Sequence, residues 1–363
     1  MTELKVGIIG CGKIAYFHAK ALLKIPGCRL VSACNRSEEK LRSFTKRYGI
    51  SGYLSATEMV RTEHLDAVTI CTPHPTHAKL AIACLNEHCH VLVEKPLAVS
   101  VAECDEMIKA AERNRVLLGT LVQRRFYQPC MRIRKAIDSG KLGHPILGEA
   151  VMLGYRSKEY YLSDPWRGSW KGEGGGVLVS QASHQIDLLN WYMGKIESIQ
   201  GHFENYTHPF IEVEDSACAV IRYQGGGMAT LLASNSQNPA LYGRVHIFGS
   251  NGKSAGVKTD GGSMFIAGVS EIEEPPLCDL WTVDTTALER LQEQDATFFT
   301  LLDDKMIFFH QQSIANFLAA VAGRETLCAD GFAGRATVEV CEAVYTMTKT
   351  GDNIWYSKDH LKD

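Results

Sequence analysis

Short apolar runs alternate with amphipathic helical patterns over the first third of the chain. Five runs have the length and apolar character of buried strands: KVGIIG, RLVSACN, LDAVTICTP, CHVLVEKP and VLLGTLVQ. The segments between them favour helices, the first over about residues 14–25. Strands that alternate with helices predict parallel βαβ units with right-handed crossovers, and hence an α/β fold with a doubly wound sheet.

The pattern changes after about Gln123. A helix is predicted over RRFYQPCMRIRKAIDSGKLG, and longer strands then follow without helices between them: ILGEAVMLGYR, IESIQGHFENY, DSACAVIRYQGGGMATLLAS and RVHIFGSNGKSAGV. Consecutive strands indicate a mostly antiparallel sheet, and the third run predicts a hairpin around its three glycines. Two helices follow, the second predicted to stop at Gly351. We therefore predict two domains, residues 1–123 and 124–363.

Composition narrows the class of protein. The 363 residues are 45% hydrophobic and 22% charged, as in ordinary globular proteins, and the net charge of −3 argues against a nucleic-acid or membrane surface. No apolar stretch reaches the roughly 20 residues that span a bilayer, and the first residues are a strand start and not a signal peptide. The 12 cysteines include no CxxC pair, so we expect reduced thiols in a cytoplasmic protein. The histidine pairs at 74/77 and 88/90 stand apart from acid or cysteine clusters, so no metal is expected.

The first predicted strand runs into a glycine motif of the form G-x-G-x-x-A: Gly10-Cys11-Gly12-Lys13-Ile14-Ala15. In this position Gly10 permits a tight turn, Gly12 lets a pyrophosphate approach the backbone, and Ala15 keeps the helix close to the sheet. The helix N-terminus supplies amide donors and partial positive charge to the phosphates. The motif in this strand-to-helix context predicts a Rossmann domain that binds a dinucleotide.

The second strand ends where such domains usually carry an acid that binds the ribose of NAD. This chain has Asn35-Arg36-Ser37 instead, so no carboxylate repels a 2′-phosphate, and Arg36 could pair with that phosphate or stack on the adenine. Alternatively, Arg36 is a solvated surface residue. The sequence therefore predicts NAD or NADP as cofactor and leaves the choice open.

The third and fourth strands end in CTP and EKP, which places Thr72, Pro73 and Lys95 at the carboxyl edge of the sheet, where ligands bind in such folds. Lys95 should point toward the nicotinamide end of the cofactor, whereas His77 is expected to be structural or peripheral to it. Gln123 follows the last parallel strand. The predicted cofactor-binding residues are Gly10, Gly12, Lys13, Ile14, Asn35, Arg36, Ser37, Cys71, Thr72, Pro73, His77, Glu94, Lys95 and Gln123.

A glycine-led helix in the second half, GGGVLVSQASHQIDLLN over residues 174–190, carries His184 and Asp187. Aromatic and arginine side chains precede it: Tyr155, Arg156, Tyr160, Trp166, Arg167 and Trp170. Aromatic faces and an arginine fork suit a polyhydroxylated ring or an anionic group, although they also suit ordinary packing. The predicted substrate-binding residues are Lys95, Arg124, Tyr155, Trp166, Arg167, Ser180, His184 and Asp187.

Taken together, GIIGCGKIA, AVTICTPHPTHAKLAIACL, HVLVEKPLAVS, PWRGSWKGEGGGVL and SHQIDLLNWYMG make the chain resemble the glucose-fructose oxidoreductase / inositol dehydrogenase / rhizopine catabolism (Gfo/Idh/MocA) family. Two later segments, EVEDSACAVIRY and FLAAVAGRETLCADGFAGRATVEVCEAVY, fit its C-terminal domain. The resemblance implies NAD(P)-dependent oxidation or reduction at a secondary alcohol of a sugar, cyclitol or nucleotide-sugar. It also implies an open, largely antiparallel sheet in the second domain that packs against another subunit, in a homodimer or homotetramer.

The implied reaction needs a hydride acceptor and a group that moves the hydroxyl proton. We hypothesise that His184 is the general base in oxidation and the acid in reduction, and that Lys95 polarises the substrate oxygen. Asp187 would bind substrate or orient the site, since its family counterpart lies close to the substrate hydroxyls. Many family members carry Asp four residues before this histidine, where this chain has Ser180, so an Asp-linked proton relay is in doubt here.

Two other functions stay open at the level of sequence. Some relatives bind the dinucleotide but act as ligand-sensing regulators, although a protein of that kind could lose the proton-transfer residues that are kept here. The other is a redox-neutral glycosidase that uses tightly held NAD to oxidise a sugar transiently.

Overall fold

The computed structural model describes residues 3–259, 274–350 and 354–355. The strands in this part of the chain are β1 (Leu4–Ile9), β2 (Cys28–Cys34), β3 (Ser51–Tyr53), β4 (Ala67–Ile70), β5 (His90–Val93), β6 (Leu118–Thr120), β7 (Pro145–Leu153), β8 (Ile196–Glu204), β9 (Ser216–Tyr223), β10 (Met228–Ser234), β11 (Tyr242–Gly249), β12 (Ser254–Thr259), β13 (Leu277–Trp281) and β14 (Ile354–Trp355). The helices are α1 (Lys13–Leu22), α2 (Glu38–Tyr48), α3 (Ala56–Glu63), α4 (His77–Leu85), α5 (Val101–Asn114), α6 (Gln128–Asp138), α7 (Lys158–Leu162), α8 (Trp170–Glu173), α9 (Ser183–Met193), α10 (Leu288–Thr300), α11 (Lys305–Val321) and α12 (Gly331–Thr350).

The first sheet has the strand order β3-β2-β1-β4-β5-β6, and every pairing in it is parallel. The predicted α/β fold with a doubly wound sheet is therefore confirmed. Its central strands β4 and β5 are almost entirely buried because helices cover both faces of such a sheet. The order reverses between β1 and β4, and this is where open α/β sheets form a ligand crevice at the carboxyl ends of their strands.

Two elements of the first unit, a strand and a helix, were not predicted from the sequence. The prediction passed from the second strand's helix directly to LDAVTICTP, whereas β3 and α3 lie between them. β3 is only three residues long, and its exposed first two residues give no apolar run to recognise. The start of α3 is nevertheless marked, because the Ser55 side chain accepts a hydrogen bond from the Glu58 amide as an N-cap.

The second sheet has the order β13-β12-β11-β7-β10-β9-β8-β14. Its β7–β10 pairing is parallel, and the other pairings are antiparallel, as predicted. The predicted hairpin is β9–β10, closed by the Tyr223 amide donating to the Gly227 carbonyl at 2.8 Å. One face of this sheet packs on α9 through a continuous apolar core that includes Ile186 and Leu189.

The chain divides into two compact units, residues 1–123 with 304–335, and residues 124–303 with 336–363. The predicted division assigned 304–335 to the second domain, whereas in the structure this segment packs with the first unit. Helix α11 lies against α1, and Ile314 and Phe317 of α11 are buried in the same core as Val6 and Ile8. The buried apolar residues of α11, which include Ile307, Ile314, Phe317 and Leu318, belong to that core.

The predicted helix stop at Gly351 lies outside the described residues. None of the helices in residues 3–259, 274–350 and 354–355 has the length and apolar character to cross a membrane.

Candidate functional site

The turn after β1 lies at the crevice of the first sheet. Gly10 has a φ of +100°, and a Cβ added there would lie 2.8 Å from the carbonyl carbon and oxygen of Cys71. Gly10 donates its amide to the Cys34 carbonyl, and Cys71 donates to the Ile9 carbonyl. The loops after β1 and β4 are thus in contact, and only glycine fits between them.

Gly12 is the N-cap of α1 and leaves the helix end open. No side chain caps the helix, its first turn has no acid, and a Cβ built on Gly12 would have no atom within 4 Å among the described residues. The amides of the exposed Lys13 and half-buried Ile14 therefore begin α1 next to open space, at the positive end of the helix dipole. This arrangement fits the pyrophosphate of a dinucleotide.

The end of β2 supports the glycine loop. Asn35 Oδ1 accepts the Cys11 amide at 3.3 Å, and Asn35 Nδ2 donates to the Ser37 carbonyl at 3.0 Å. The Ser37 hydroxyl accepts the Lys40 amide as the N-cap of α2. Of the three predicted ribose-side residues, Arg36 is the exposed one.

His77 joins two loops at the carboxyl edge of the sheet. Its Nδ1 lies 2.9 Å from the Pro96 carbonyl oxygen and its Nε2 lies 2.8 Å from the Thr72 carbonyl oxygen. The ring is completely buried, and burial lowers its pKa. These contacts agree with the structural role expected for His77, which holds the loop of Thr72 and exposed Pro73 against the EKP segment.

Glu94 and Lys95 directly follow β5. The Glu94 carboxylate is buried, with Oε1 2.9 Å from His18 Nε2 and Oε2 accepting the Lys95 backbone amide at 3.2 Å. Lys95 itself is half-buried. At the end of the same unit, Gln123 is buried, and its Oε1 has no hydrogen-bond partner among the described residues, so a donor on a ligand would satisfy it.

The second unit presents His184 on a helix that is otherwise buried. Between residues 175 and 190, Ser180 and His184 are the two partly exposed residues, and every other residue of that stretch is buried. They are four apart and so lie on one face of the helix. A π-helical turn, Leu178–Ala182, leads directly into α9.

The glycine run before this helix is held by a residue that sequence reasoning missed, Glu214. Its Oε2 accepts the Gly176 amide at 2.8 Å, and its Oε1 accepts the Leu178 amide at 3.0 Å and the Tyr345 hydroxyl at 2.8 Å. Burial raises the pKa of Glu214 to about 7 despite these donors. Its sequence signal is the EVED segment, where acids directly precede an apolar strand.

Ser180 is used within its own helix. Its hydroxyl lies 2.6 Å from the Gly176 carbonyl oxygen and 2.6 Å from Gln181 Oε1, and it can donate to one of them at a time. Gln181 Nε2 in turn donates to the Tyr160 hydroxyl at 3.1 Å. The hydrogen bonds of Ser180 therefore lead toward the aromatic segment.

Asp187, a predicted substrate-binding residue, forms a buried bidentate ion pair. Arg125 Nε and Nη2 donate to its two carboxylate oxygens at 2.9 and 2.7 Å, and the two side chains are 4% and 7% exposed. Of its predicted alternatives, the pairing favours orientation of the site. The adjacent Arg124 is the arginine predicted from the sequence to bind substrate. It is also buried and donates from Nη1 to Thr259 Oγ1 at 3.0 Å.

The aromatic segment before the glycines gathers around Tyr160. The Arg167 guanidinium lies 4.2 Å from the centroid of the Tyr160 ring and 4.5 Å from that of Trp166, and it donates to the Tyr160 hydroxyl. Trp166 and Tyr155 are both partly exposed. Residues 3–259, 274–350 and 354–355 contain no cluster of three His, Cys, Asp or Glu side chains suited to a metal ion.

These features define a protein with an NAD(P)-type Rossmann unit and a second α/β unit with a half-exposed histidine. A family model described as oxidoreductase family, NAD-binding Rossmann fold, matches residues 4–121, and the GFO/IDH/MocA C-terminal domain matches residues 130–255. The chain belongs to the Gfo/Idh/MocA family and is an NAD-dependent oxidoreductase.

Individual relatives agree with this assignment. The myo-inositol 2-dehydrogenase of Thermotoga maritima is 28% identical over 261 residues, covering 69% of this chain and 74% of that protein. The NAD⁺-dependent scyllo-inositol 2-dehydrogenase of Bacillus subtilis is 25% identical over 258 residues, covering 69% and 72%. The WlbA dehydrogenase of Bordetella pertussis, solved with NADH and UDP-GlcNAcA, has the same fold over 99% of both chains, with a TM-score of 0.84 and 24% identity.

Proposed function

We propose that this enzyme transfers a hydride between the nicotinamide and a secondary alcohol or ketone of a sugar, cyclitol or nucleotide-sugar. Family membership supports the redox class, and the inositol dehydrogenases among its relatives support a polyhydroxylated substrate. The complex of WlbA with UDP-GlcNAcA adds nucleotide-sugars to the candidates.

The observation that carries the proposal is the exposure of His184 on a buried helix. A histidine in that setting keeps its ring accessible while its neighbours fix the helix, which suits a group that must exchange a proton with a ligand. His184 acts as general base when the alcohol is oxidised and as general acid when the ketone is reduced.

Lys95 supplies the positive charge of the proposed reaction. When bound, the nicotinamide accepts or donates the hydride. Lys95 donates a hydrogen bond to the substrate oxygen and stabilises the negative charge that develops on it. Its place directly after β5, at the same carboxyl edge of the sheet as Gly10 and Thr72, supports this role.

The remaining residues bind or orient. Tyr155, Trp166 and Arg167 contact the substrate ring or an anionic group on it. Arg124 is assigned to the same substrate-binding set. Ser180 donates hydrogen bonds but carries no charge, so proton transfer does not use an acid at that position. Asp187 acts through Arg125 by fixing the helix that carries His184.

The coenzyme preference follows from the end of β2. Asn35 is neutral and hydrogen-bonded to the glycine loop, and Arg36 is exposed beside it. Since no carboxylate there repels a 2′-phosphate, we propose that the enzyme accepts NADP as well as NAD.

We also propose a homo-oligomer formed through the outer face of the second sheet. Apolar side chains that alternate with core residues stand exposed on three adjacent strands: Leu147, Val220, Met228 and Leu232, between 45% and 49% exposed. An apolar sheet face of this kind is typical of a subunit interface. The 12 cysteines include no CxxC pair, which supports the reducing cytoplasm as its compartment.

The test is a screen of sugars, inositols and nucleotide-sugars with NAD and NADP, followed at the absorbance band of the reduced nicotinamide. The proposal expects net reduction of the coenzyme with at least one polyol, abolished in Lys95→Ala. Turnover without net absorbance change would indicate a redox-neutral glycosidase instead. Ligand binding without turnover of any substrate would indicate a regulator.

A further inference from the structure

A cluster of buried titratable side chains meets at Glu94, the residue before Lys95, in the first unit. His18 of α1 is completely buried, and its Nε2 lies 2.9 Å from Glu94 Oε1. His310 of α11 is also buried, with Nε2 3.9 Å from the same oxygen and Nδ1 2.7 Å from the Met306 carbonyl oxygen. Side chains from α1 and α11 therefore meet at the carboxylate of Glu94, which directly follows β5.

The charge state of this cluster follows from its contacts. Burial disfavours the His18 imidazolium, but neighbouring Cys71 and Glu94 outweigh burial and raise the pKa of His18 to about 10. Burial also opposes ionisation of Glu94, but the hydrogen bond and the charge of His18 lower its pKa to about 2. For His310, burial lowers the pKa, so its ring is neutral. At neutral pH the cluster holds one imidazolium and one carboxylate.

Glu94 connects the pair to Lys95 in two ways. Its Oε2 accepts the Lys95 backbone amide at 3.2 Å, which fixes the start of the lysine side chain. Its charge also interacts with that of Lys95, which lowers the pKa of Glu94, whereas the compensating His18 lies at the other carboxylate oxygen, Oε1. A charge nearer to Lys95 acts on it more strongly than a charge farther away.

We propose that the buried His18–Glu94 ion pair is a positioning device for Lys95, in which Glu94 anchors the lysine backbone and favours its ammonium form while His18 partly offsets that charge. The inference rests on the proposed role of Lys95 in the reaction. It assigns functions to two residues that touch neither the proposed substrate nor the transferred proton.

Other titratable groups around the pair have to be counted. Cys71 at the end of β4 faces His18, His310 faces both partners, and Asp304 acts on His310. Of these groups, Glu94 is the one whose side chain contacts Lys95, through Oε2, and His18 is the one within hydrogen-bond distance of Glu94 Oε1.

The proposal predicts opposite effects of two substitutions. In Glu94→Gln the nearer negative charge is lost and His18 loses its partner, so the apparent pKa of the Lys95 amine should fall by roughly one unit. In His18→Asn the carboxylate is left uncompensated, so that pKa should rise by a similar amount. If the pair were merely structural, the pKa of the Lys95 amine would shift in the same direction in both variants or would not shift in either.

The measurement is the pH dependence of Lys95 acylation by an amine-specific reagent, read by mass spectrometry of the peptide that contains Lys95. The matched control is His90→Asn, because His90 lies at the other end of β5 and accepts the Leu117 amide. The control should leave the titration of Lys95 unchanged. Equal titration curves for wild type, Glu94→Gln and His18→Asn would overturn the proposal.

A second readout uses the unsubstituted protein, so it does not depend on how the variants fold. Imidazole nitrogen NMR of the ¹⁵N-histidine-labelled chain should show His18 as an imidazolium at pH 8, with the assignment made by its loss in His18→Asn or His18→Gln. A neutral His18 at pH 8 would overturn the proposal.

Neither readout requires a substrate, and this separates the inference from the proposed function. If opposite shifts are found but no polyol is turned over, the ion pair stands and the proposed function fails. If Lys95→Ala abolishes turnover but the titration of Lys95 ignores both partners, the function stands and the ion pair fails as a positioning device.

Discussion

Gly176 shows how tightly a single position can be constrained next to the proposed site. A Cβ at this residue would lie 1.9 Å from the Glu214 carbonyl oxygen and 2.9 Å from its Oε2. The close approach lets the Gly176 amide reach Glu214, so the residue is glycine for reasons of space and hydrogen bonding together.

Gly176→Ala should therefore force the helix start away from Glu214. We expect a loss of about 1–3 kcal/mol in the free energy of unfolding, because overpacking shifts backbone atoms. Urea denaturation measures this loss, and the turnover number should fall as well since His184 follows on the same helix. An alanine variant as stable and active as wild type would contradict the contact.

The His18–Glu94 pair also sets a pH dependence of stability. The pKa of His18 is about 10 in the fold against an ordinary 6.5, so its stabilisation is complete below about 6.5 and is lost as the pH rises toward 10. The pKa of Glu94 is about 2 against 4.5, so its stabilisation is present above about 4.5 and is lost as the pH falls toward 2. The pair stabilises the fold most between about pH 4.5 and 6.5.

Urea denaturation at pH 6 and pH 9 checks this window. The wild type should lose more free energy of unfolding between these pH values than His18→Asn, which has no proton to release in that range. Identical losses in the two proteins would show that His18 does not carry the charge assigned to it.

At the scale of elements, helix α9 is fixed by contacts from distant parts of the sequence. Glu214 holds its N-terminal approach, and Arg125 binds Asp187 across 62 positions of the chain. The sequence of α9 explains which of its faces is apolar, but it does not reveal these distant partners.

Asp187→Asn should destabilise the second unit by about 3–5 kcal/mol, because it leaves the buried Arg125 charge without its partner. The matched control is Asp138→Asn, since Asp138 pairs with Arg134 at a 61% exposed position and should cost less than about 1 kcal/mol. If Asp187 only bound substrate, its substitution would lower kcat/KM and leave the urea midpoint unchanged.

Local sequence patterns predicted the elements that have a long apolar run or a long amphipathic pattern. The glycine motif predicted the open helix end at Gly12. They did not predict β3, which is too short and exposed to show a period. They also selected Arg124 beside Arg125, since adjacent arginines look alike in sequence and only long-range packing decides which one meets Asp187. Glu214 and His18 were missed for the same reason: their partners lie far away along the chain.

At the scale of the whole molecule, the exposed face of the second sheet is the feature that the chain's own helices do not explain. Along β9 and β10 its exposed residues alternate with core residues, and most of them are apolar: Cys218, Val220, Met228 and Leu232 stand beside Arg222 and Thr230. A sheet in water on one side would normally carry polar residues there.

Leu232→Glu should therefore dissociate the proposed oligomer, because it places a charge in the centre of the apolar face. Light scattering behind size-exclusion chromatography should show a dimer or tetramer for the wild type and a smaller species for the variant. Leu301→Glu is the control, since Leu301 is 77% exposed and lies outside that face. A monomeric wild type would contradict the interface.

The central claim is that His184 of the second unit moves the proton, whereas residues of the first unit bind the coenzyme. With the substrate found in the screen, His184→Asn should lower kcat by about 10²–10⁴-fold and leave the dissociation constant for NADH unchanged. The exposed His64→Asn, in the first unit, serves as control and should change neither. A loss of NADH affinity equal to the loss of kcat, or no change in either quantity, would contradict the account.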